Sequence, residues 1–182
     1  SYRLLKEGPN GRIAVDNFPI SGIVLTHSAD AIITDSASSA TAYSTGSKTK
    51  NGFLGVDQEG RILENLTEKL DNFGFVSALI STSEVTHATP AAFSSHVDSR
   101  RNTDEISSQM LESKVATILG GGRKFFLSAE NGGKRKDKRD LLDEAKKSHK
   151  NGTTLKEETL KTKLLSEKEY NKIINPKKND LS

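Results

Sequence analysis

The sequence predicts an α/β fold, with a mainly parallel central sheet flanked by helices, and two observations predict it. A short β-branched run, Ala31-Ile32-Ile33, leads into Thr34, Asp35 and Ser36, three N-cap candidates, followed by small residues that can continue as a helix. Further on, Ile62, Leu63, Leu66 and Leu70 recur at helical spacing, and Phe75 to Thr82 then reads as a buried strand. Helix then strand, directly after strand then helix, is the rhythm of βαβ units.

Taken in order, residues 1–19 hold no clear element. Gly8-Pro9-Asn10-Gly11 is a turn, and Pro19 closes a short apolar patch around Phe18. Gly22 to Thr26 is a short strand or loop before the central strand. His27 and Asp30 lie near Ser36 in sequence and read as loop residues, not as a catalytic base. Lys48 to Gly60 is turn-rich, the helix over 62–70 stops at Gly74, and the strand over 75–82 follows. Pro90 suits the first turn of a short helix running through about Val97, with Thr89 as its cap. Asp98-Ser99-Arg100 then lie at that helix's end.

Asp104 to Lys114 looks helical, and Val115 to Leu119 is a strand ending in Gly120-Gly121-Gly122-Arg123-Lys124. That glycine run is open to two readings, a phosphate-cradling loop or a tight turn. It lacks the Gly-Lys-Ser/Thr ending of a P-loop, so a tight turn is expected. Gly132-Gly133 and the charge run from Lys134 to Arg139 predict an exposed loop. Amphipathic surface helices are expected over 138–149 and 166–174, separated by a polar segment near Gly152, with a loop over 175–180.

The 182 residues suit a single domain, and 33% hydrophobic residues with no Trp make it polar without marking it as disordered. No apolar run approaches the ~20 residues of a membrane span, and no signal peptide is read at Ser1. Without cysteine there are no disulfides and no thiolate metal sites. The net charge of +3 is uneven: the chain is acidic up to Gly122 and basic from Arg123 onward. The basic part interleaves its lysines with Glu and Asp, and Phe125, Phe126 and Tyr170 form no stacking platform. It therefore reads as solvated surface, not as a nucleic-acid partner.

A strand entering a helix leaves unpaired N–H groups and partial positive charge at the turn, where anions bind. A Ser36 hydroxyl in that first turn is placed to attack phosphorus, provided its pKa is lowered. The same residues also read as a capped helix packing its small face against a sheet. In parallel sheets ligands bind beyond the carboxyl ends of the strands, which brings the segment after Thr82 beside Ser36. Arg100 in that segment is either a two-pronged phosphate clamp or an ordinary surface arginine. His96 reads as a packing or hydrogen-bonding residue.

Three stretches carry a resemblance. Ile33-Thr34-Asp35-Ser36-Ala37-Ser38-Ser39-Ala40-Thr41, continuing to Asp57, resembles the nucleophile signature of the alkaline phosphatases. Thr86-His87-Ala88-Thr89-Pro90-Ala91-Ala92-Phe93 with His96-Val97-Asp98-Ser99-Arg100, and Ile118 to Lys124, look like two further segments of that family, in order. The resemblance covers about residues 17–127; residues 128–182 are charged, helical and weakly matched. It implies an alkaline-phosphatase-like sandwich, present here as a single partial domain over 1–182. Sulfatases and phosphomutases of the same superfamily carry different nucleophile motifs.

The resemblance implies a metal-dependent hydrolase of small phosphate monoesters working through a phosphoserine on Ser36. Arg100 then clamps phosphate, and Asp35 shares the substrate site by orienting it. Zinc and magnesium are the implied cofactors, with Ser36 a zinc ligand, Thr89 a ligand at the magnesium site, and His87 at that same site. Most zinc ligands are expected outside this chain, so a catalytically incomplete phosphate-binding piece is the alternative. Family likeness also implies a homodimer of the complete protein and a periplasmic, secreted or cell-surface location.

Overall fold

The computed structural model describes residues 2–174, apart from the side chains of Tyr2 and Leu4; the loop expected at 175–180 lies outside them. Helix α1 (Tyr2–Glu7) opens the chain, where no element is expected, and a 3-10 turn follows at Ala14–Asn17. The segment from Phe18 to Thr34 is irregular. Ile32 is 91% and Ile33 83% exposed, so the expected central strand over 31–33 is an exposed bend. A strand needs a neighbour to take its backbone hydrogen bonds, and none lies alongside here.

Helix α2 (Ser36–Thr45) begins where its capping residues predict. Its buried side is built from small residues, Ala37, Ala40, Thr41 and Ser44, at helical spacing. This lets it pack closely on α4 (Ala88–Ala91), whose Ala88 and Ala91 are also fully buried. Helix α3 (Leu66–Asp71) starts later than the apolar spacing suggests. Asn65 accepts from the amides of Thr67 and Glu68 while Glu68 reaches back to the Asn65 amide, a reciprocal cap that sets the start. Ile62, ahead of it, instead pairs with Val56.

Strands β1 (Ser77–Glu84) and β2 (Val115–Gly121) form a parallel pair, joined through α4 and α5 (Thr103–Glu112) as the βαβ pattern requires. In β1 the inner positions Ser77, Leu79 and Ser81 alternate with an outer row in which Ile80 is 77% exposed. The expected buried strand is thus covered on one face only, by α3 and α4. Gly120 lets the strands close up: a Cβ there would stand 2.7 Å from Val85 Cγ1 and 2.9 Å from the Ser81 carbonyl. Gly122 turns the chain at a φ of +96°, the tight turn expected of the glycine run.

Helix α4 departs from expectation in its start and length. Its cap is His87, Thr89 and Pro90 lie inside it, and it ends by Ala91. Proline is tolerated there because first-turn amides have no helical partner. After the turn at Ala92 to Ser95, Val97 exchanges two backbone hydrogen bonds with Leu54, both 2.9 Å, which draws the chain out of the helix.

Beyond Asp140 the described residues form three helices, α6 (Leu141–Asn151), α7 (Leu155–Lys161) and α8 (Glu167–Ile174). The polar segment near Gly152 contains α7, started by a reciprocal Thr154–Glu157 cap. The charge run 134–139 is not the uniformly exposed loop its composition suggests. Arg135 and Arg139 are each about 1% exposed. Arg135 donates to the Asp104 and Phe125 carbonyls and the Ser107 and Ser108 hydroxyls. Arg139 binds Glu144 through Nε (3.1 Å) and Nη2 (2.6 Å), with Ser108 and Thr159 completing the set. Burial of an arginine is tolerable when every donor is paired, and these two tie α5, α6 and α7 together.

Removing one partner of that buried pair strands the other charge. Arg139→Met is expected to lower unfolding stability by roughly 3–5 kcal/mol, and adding Glu144→Leu to recover much of it. Urea denaturation of the single and double variants measures both.

Candidate active site

Asp35 organises the site. Its Oδ1 accepts from the amides of Ala37 (3.0 Å) and Ser38 (2.9 Å), filling N–H groups that a helix leaves unpaired at its start. The cap makes Ser36 the first helical residue, half-buried at the turn. It also changes the expected anion site: two of the free amides of α2 already serve the protein's own carboxylate. A cationic side chain reaches the same turn.

That side chain is Arg100, 64 residues further on. Its Nη1 donates to Ser36 Oγ at 2.6 Å and to Asp35 Oδ2 at 3.1 Å. Its Nη2 lies 3.3 Å from His87 Nε2, and since arginine only donates, the imidazole accepts. Arg100 Nε makes no hydrogen bond among the described residues, leaving a donor free for a ligand. A guanidinium donating to Oγ favours the alkoxide over the hydroxyl, which is the activation a serine nucleophile needs.

Asn51 braces the Ser36 turn from below. Its Oδ1 accepts from the Asp35 amide (3.0 Å) and the Ser38 hydroxyl (2.8 Å), and its Nδ2 donates to the Ile33 carbonyl (3.0 Å). Asp30, itself braced by the Ser28 hydroxyl, accepts from the Asn51 amide at 2.9 Å. The next residue, Gly52, accepts from the Arg100 amide at 2.7 Å. One dipeptide thus touches both the serine turn and the arginine segment. In the sequence Asn51-Gly52 signals only a turn; nothing local reveals that every polar group of the Asn side chain is used. Asp30 and His27 are loop residues, with Asp30 a brace and His27 Nδ1 2.9 Å from the Ser28 carbonyl.

The structure brings together Ser36, Asp35, Arg100 and His87. Thr89 lies two residues beyond His87, exposed on α4, and its hydroxyl makes no hydrogen bond among the described residues. His87 is exposed as well. Among the described residues no three His, Asp or Glu side chains gather to hold a metal. Both oxygens of Asp35 are engaged, which leaves one imidazole and two hydroxyls, too few for a tetrahedral zinc shell or an octahedral magnesium one.

Partial burial pushes the Asp35 carboxyl up, but hydrogen bonds from the Ser38 and Gly52 amides, Arg100 and the Ser38 hydroxyl outweigh it. The group is held below its ordinary 3.8. Asp35 is therefore ionised wherever Arg100 needs a counter-ion.

Comparison with known proteins gives a consistent result. A family model described as alkaline phosphatase matches residues 2–173. Alkaline phosphatase 4 of Bacillus subtilis is 36% identical over 175 residues, covering 90% of this chain and 36% of that enzyme. The repressible alkaline phosphatase of Saccharomyces cerevisiae is 40% identical over 132 residues, covering 66% of this chain and 23% of its own length. Among solved structures, alkaline phosphatase from the Antarctic bacterium TAB5 superposes with a TM-score of 0.67 at 35% identity, over 74% of this chain and 38% of that one. The cold-active enzyme of a Shewanella species gives 0.63 at 39% identity, over 70% and 33%. The chain spans about a third of the length of the Bacillus, TAB5 and Shewanella enzymes, and less of the yeast one.

A depressed carboxyl contributes stability above its unfolded pKa and loses it as pH falls through the folded one. Asp35→Asn, which keeps a capping oxygen but not the charge, is expected to cost about 1 kcal/mol at neutral pH. Denaturation across an acid series should show that difference shrinking below the ordinary carboxylate value of 3.8.

Proposed function

The chain belongs to the alkaline phosphatase family, and on that premise we propose that it carries the nucleophile and phosphate clamp of a metal-dependent phosphomonoesterase. The observation that carries this reading is one guanidinium nitrogen, Arg100 Nη1, bonded to both Ser36 Oγ and Asp35 Oδ2.

Attack on a phosphate monoester must overcome the negative charge already on the phosphoryl group. Arg100 is suited to this, since a planar fork grips two non-bridging oxygens at once and its charge stays fixed. Asp35 orients the fork and balances it when the site is empty. Ser36 Oγ bonds to phosphorus as the ester P–O bond breaks, and the leaving oxygen departs with the bonding pair and gains a proton. Water then attacks phosphorus, the P–Oγ bond breaks, and inorganic phosphate leaves with Ser36 regenerated. Small phosphate monoesters are the substrates this arrangement suits, because its contacts are to the phosphoryl group.

Zinc and magnesium enter the proposal from the family and not from a shell in this chain, whose described residues do not complete one. Ser36, Thr89 and His87 are the groups it offers to such ions. A variant of the TAB5 enzyme with a histidine replaced by glutamate has Mg bound in its M3 site, and so has the histidine-to-aspartate variant. By likeness, His87 favours a softer ion than magnesium at the third site. The homodimer and the periplasmic, secreted or cell-surface location are likewise proposed from family likeness. A second reading, a phosphate-binding piece without hydrolysis, is favoured by the incomplete metal shell.

Hydrolysis of a chromogenic aryl phosphate with added zinc and magnesium separates the two. Activity that vanishes in Ser36→Ala while inorganic phosphate still binds supports the phosphoserine route; activity that survives the change overturns it. No hydrolysis, with phosphate binding lost in Arg100→Ala, supports the second reading. In metal-loaded protein, His87→Asp is expected to raise the bound magnesium-to-zinc ratio, and an unchanged ratio counts against the role given to His87.

A further inference from the structure

His96 is buried, belongs to no catalytic contact, and is held more tightly than packing alone requires. Its Nδ1 lies 2.7 Å from the Gly55 carbonyl oxygen and its Nε2 2.8 Å from Glu68 Oε1. Both partners only accept. A neutral imidazole has one N–H to give, so both contacts are satisfied together only when the ring carries two protons. The backbone of His96 is clamped by Gln109, which accepts from its amide at 2.6 Å and donates to its carbonyl at 3.2 Å. Gly55 is shaped for the ring: at a φ of +60°, a Cβ there would come 2.6 Å from Nδ1 and 2.4 Å from the Ser95 carbonyl.

This contact ends a short ladder that leads to the site. His96 holds Gly55, Val97 pairs with Leu54 through two 2.9 Å bonds, and the Arg100 amide donates to Gly52 at 2.7 Å. We propose that the His96 imidazolium is a positioning residue that locks this ladder, and that loss of its proton loosens the placement of Arg100. The inference rests on the reading of Arg100 as phosphate clamp.

The neighbouring charges leave Glu68 as the group that governs the ring. Glu112 and Lys114 line the same small cavity, but Glu112 is taken by the Tyr170 hydroxyl, and Lys114 pairs with Asp71 at 3.5 Å. Glu105 accepts from Gln109 Nε2 at 3.4 Å and is engaged by Asn102 and the Lys172 charge, not by His96. Burial pushes His96 down, yet the bonds to Glu68 and Gly55 outweigh it and hold the ring above its ordinary 6.5. The stability it contributes is then full below 6.5 and is lost as pH rises through the raised value. Once neutral, the ring must turn a lone pair toward either Gly55 or Glu68.

Amide hydrogen exchange in the whole chain tests this at Leu54, Val97 and Arg100. Protection of these amides is expected to fall about tenfold or more between about pH 6 and about pH 9, since a buried acceptor loses its donor. In Glu68→Gln the fall should disappear. The amide oxygen can stay on the Asn65 amide, where Glu68 Oε2 now accepts at 2.8 Å, while its NH2 donates to a neutral Nε2. A fall of equal size in both proteins, or none in either, overturns the proposal. Independently of any variant, ring nitrogen shifts must show His96 doubly protonated near neutrality, and a neutral ring there also overturns it. Binding of inorganic phosphate separates this from the underlying reading. Arg100→Ala should abolish binding at every pH; if it does not, the clamp itself fails whatever His96 does.

Discussion

The bond from Arg100 to Ser36 and Asp35 is the constraint on which the arrangement depends. It joins a helix start to a residue 64 positions away, and a long charged side chain holds one geometry only if its backbone is held first. The backbone is held by three successive contacts between 52–55 and 96–100, and the helix start by the Asp35 cap and the Asn51 amide. The small-residue face of α2, packed on the alanines of α4, brings those two assemblies within reach. Each part is ordinary chemistry; what makes a site is that they converge on one hydroxyl.

Much of this was legible in the sequence where the determinant was local. A helix cap among Thr34, Asp35 and Ser36, the helix after it, the β1 and β2 runs and the end of α8 follow from capping, periodicity and β-branching within a few residues. The failures share a cause. Ala31-Ile32-Ile33 has strand composition, but a strand is a pairwise object, and without a partner the run stays an exposed bend. Arg135 and Arg139 look like solvated charges because their partners, Ser107, Ser108, Glu144 and Thr159, are brought in by other helices. Thr154 with Glu157 is a readable cap for α7 within a stretch whose composition signals only polarity. Within the site, Ser36, Asp35 and Arg100 stood out through family motifs, while Asn51 gains its role only when the chain folds back on itself.

The sheet sets the terms on which the chain meets its surroundings. Parallel strands are normally covered on both faces, yet Ile80 is 77% and Leu119 55% exposed, and Phe75 and Val76 beside them are 61% and 84% exposed. Apolar residues from Ile20 to Ile33 are similarly open. In the solved relatives this region is about a third of a longer chain. The described residues thus leave apolar faces of the sheet open to whatever packs against them.

Asp35 and Ser36 are neighbours with opposite standing in the fold. Asp35 is bound into the helix cap and the arginine pair, so changing it disturbs folding and chemistry together. The Ser36 hydroxyl accepts one bond from Arg100 and supports no backbone group. Under relaxed selection the two positions would drift differently: the Ser36 hydroxyl can be lost with little folding penalty, while the scaffold around it persists. A lineage of this fold can therefore lose the hydroxyl at position 36 and still keep its shape, so that backbone likeness among its descendants says little about which of them retain that group.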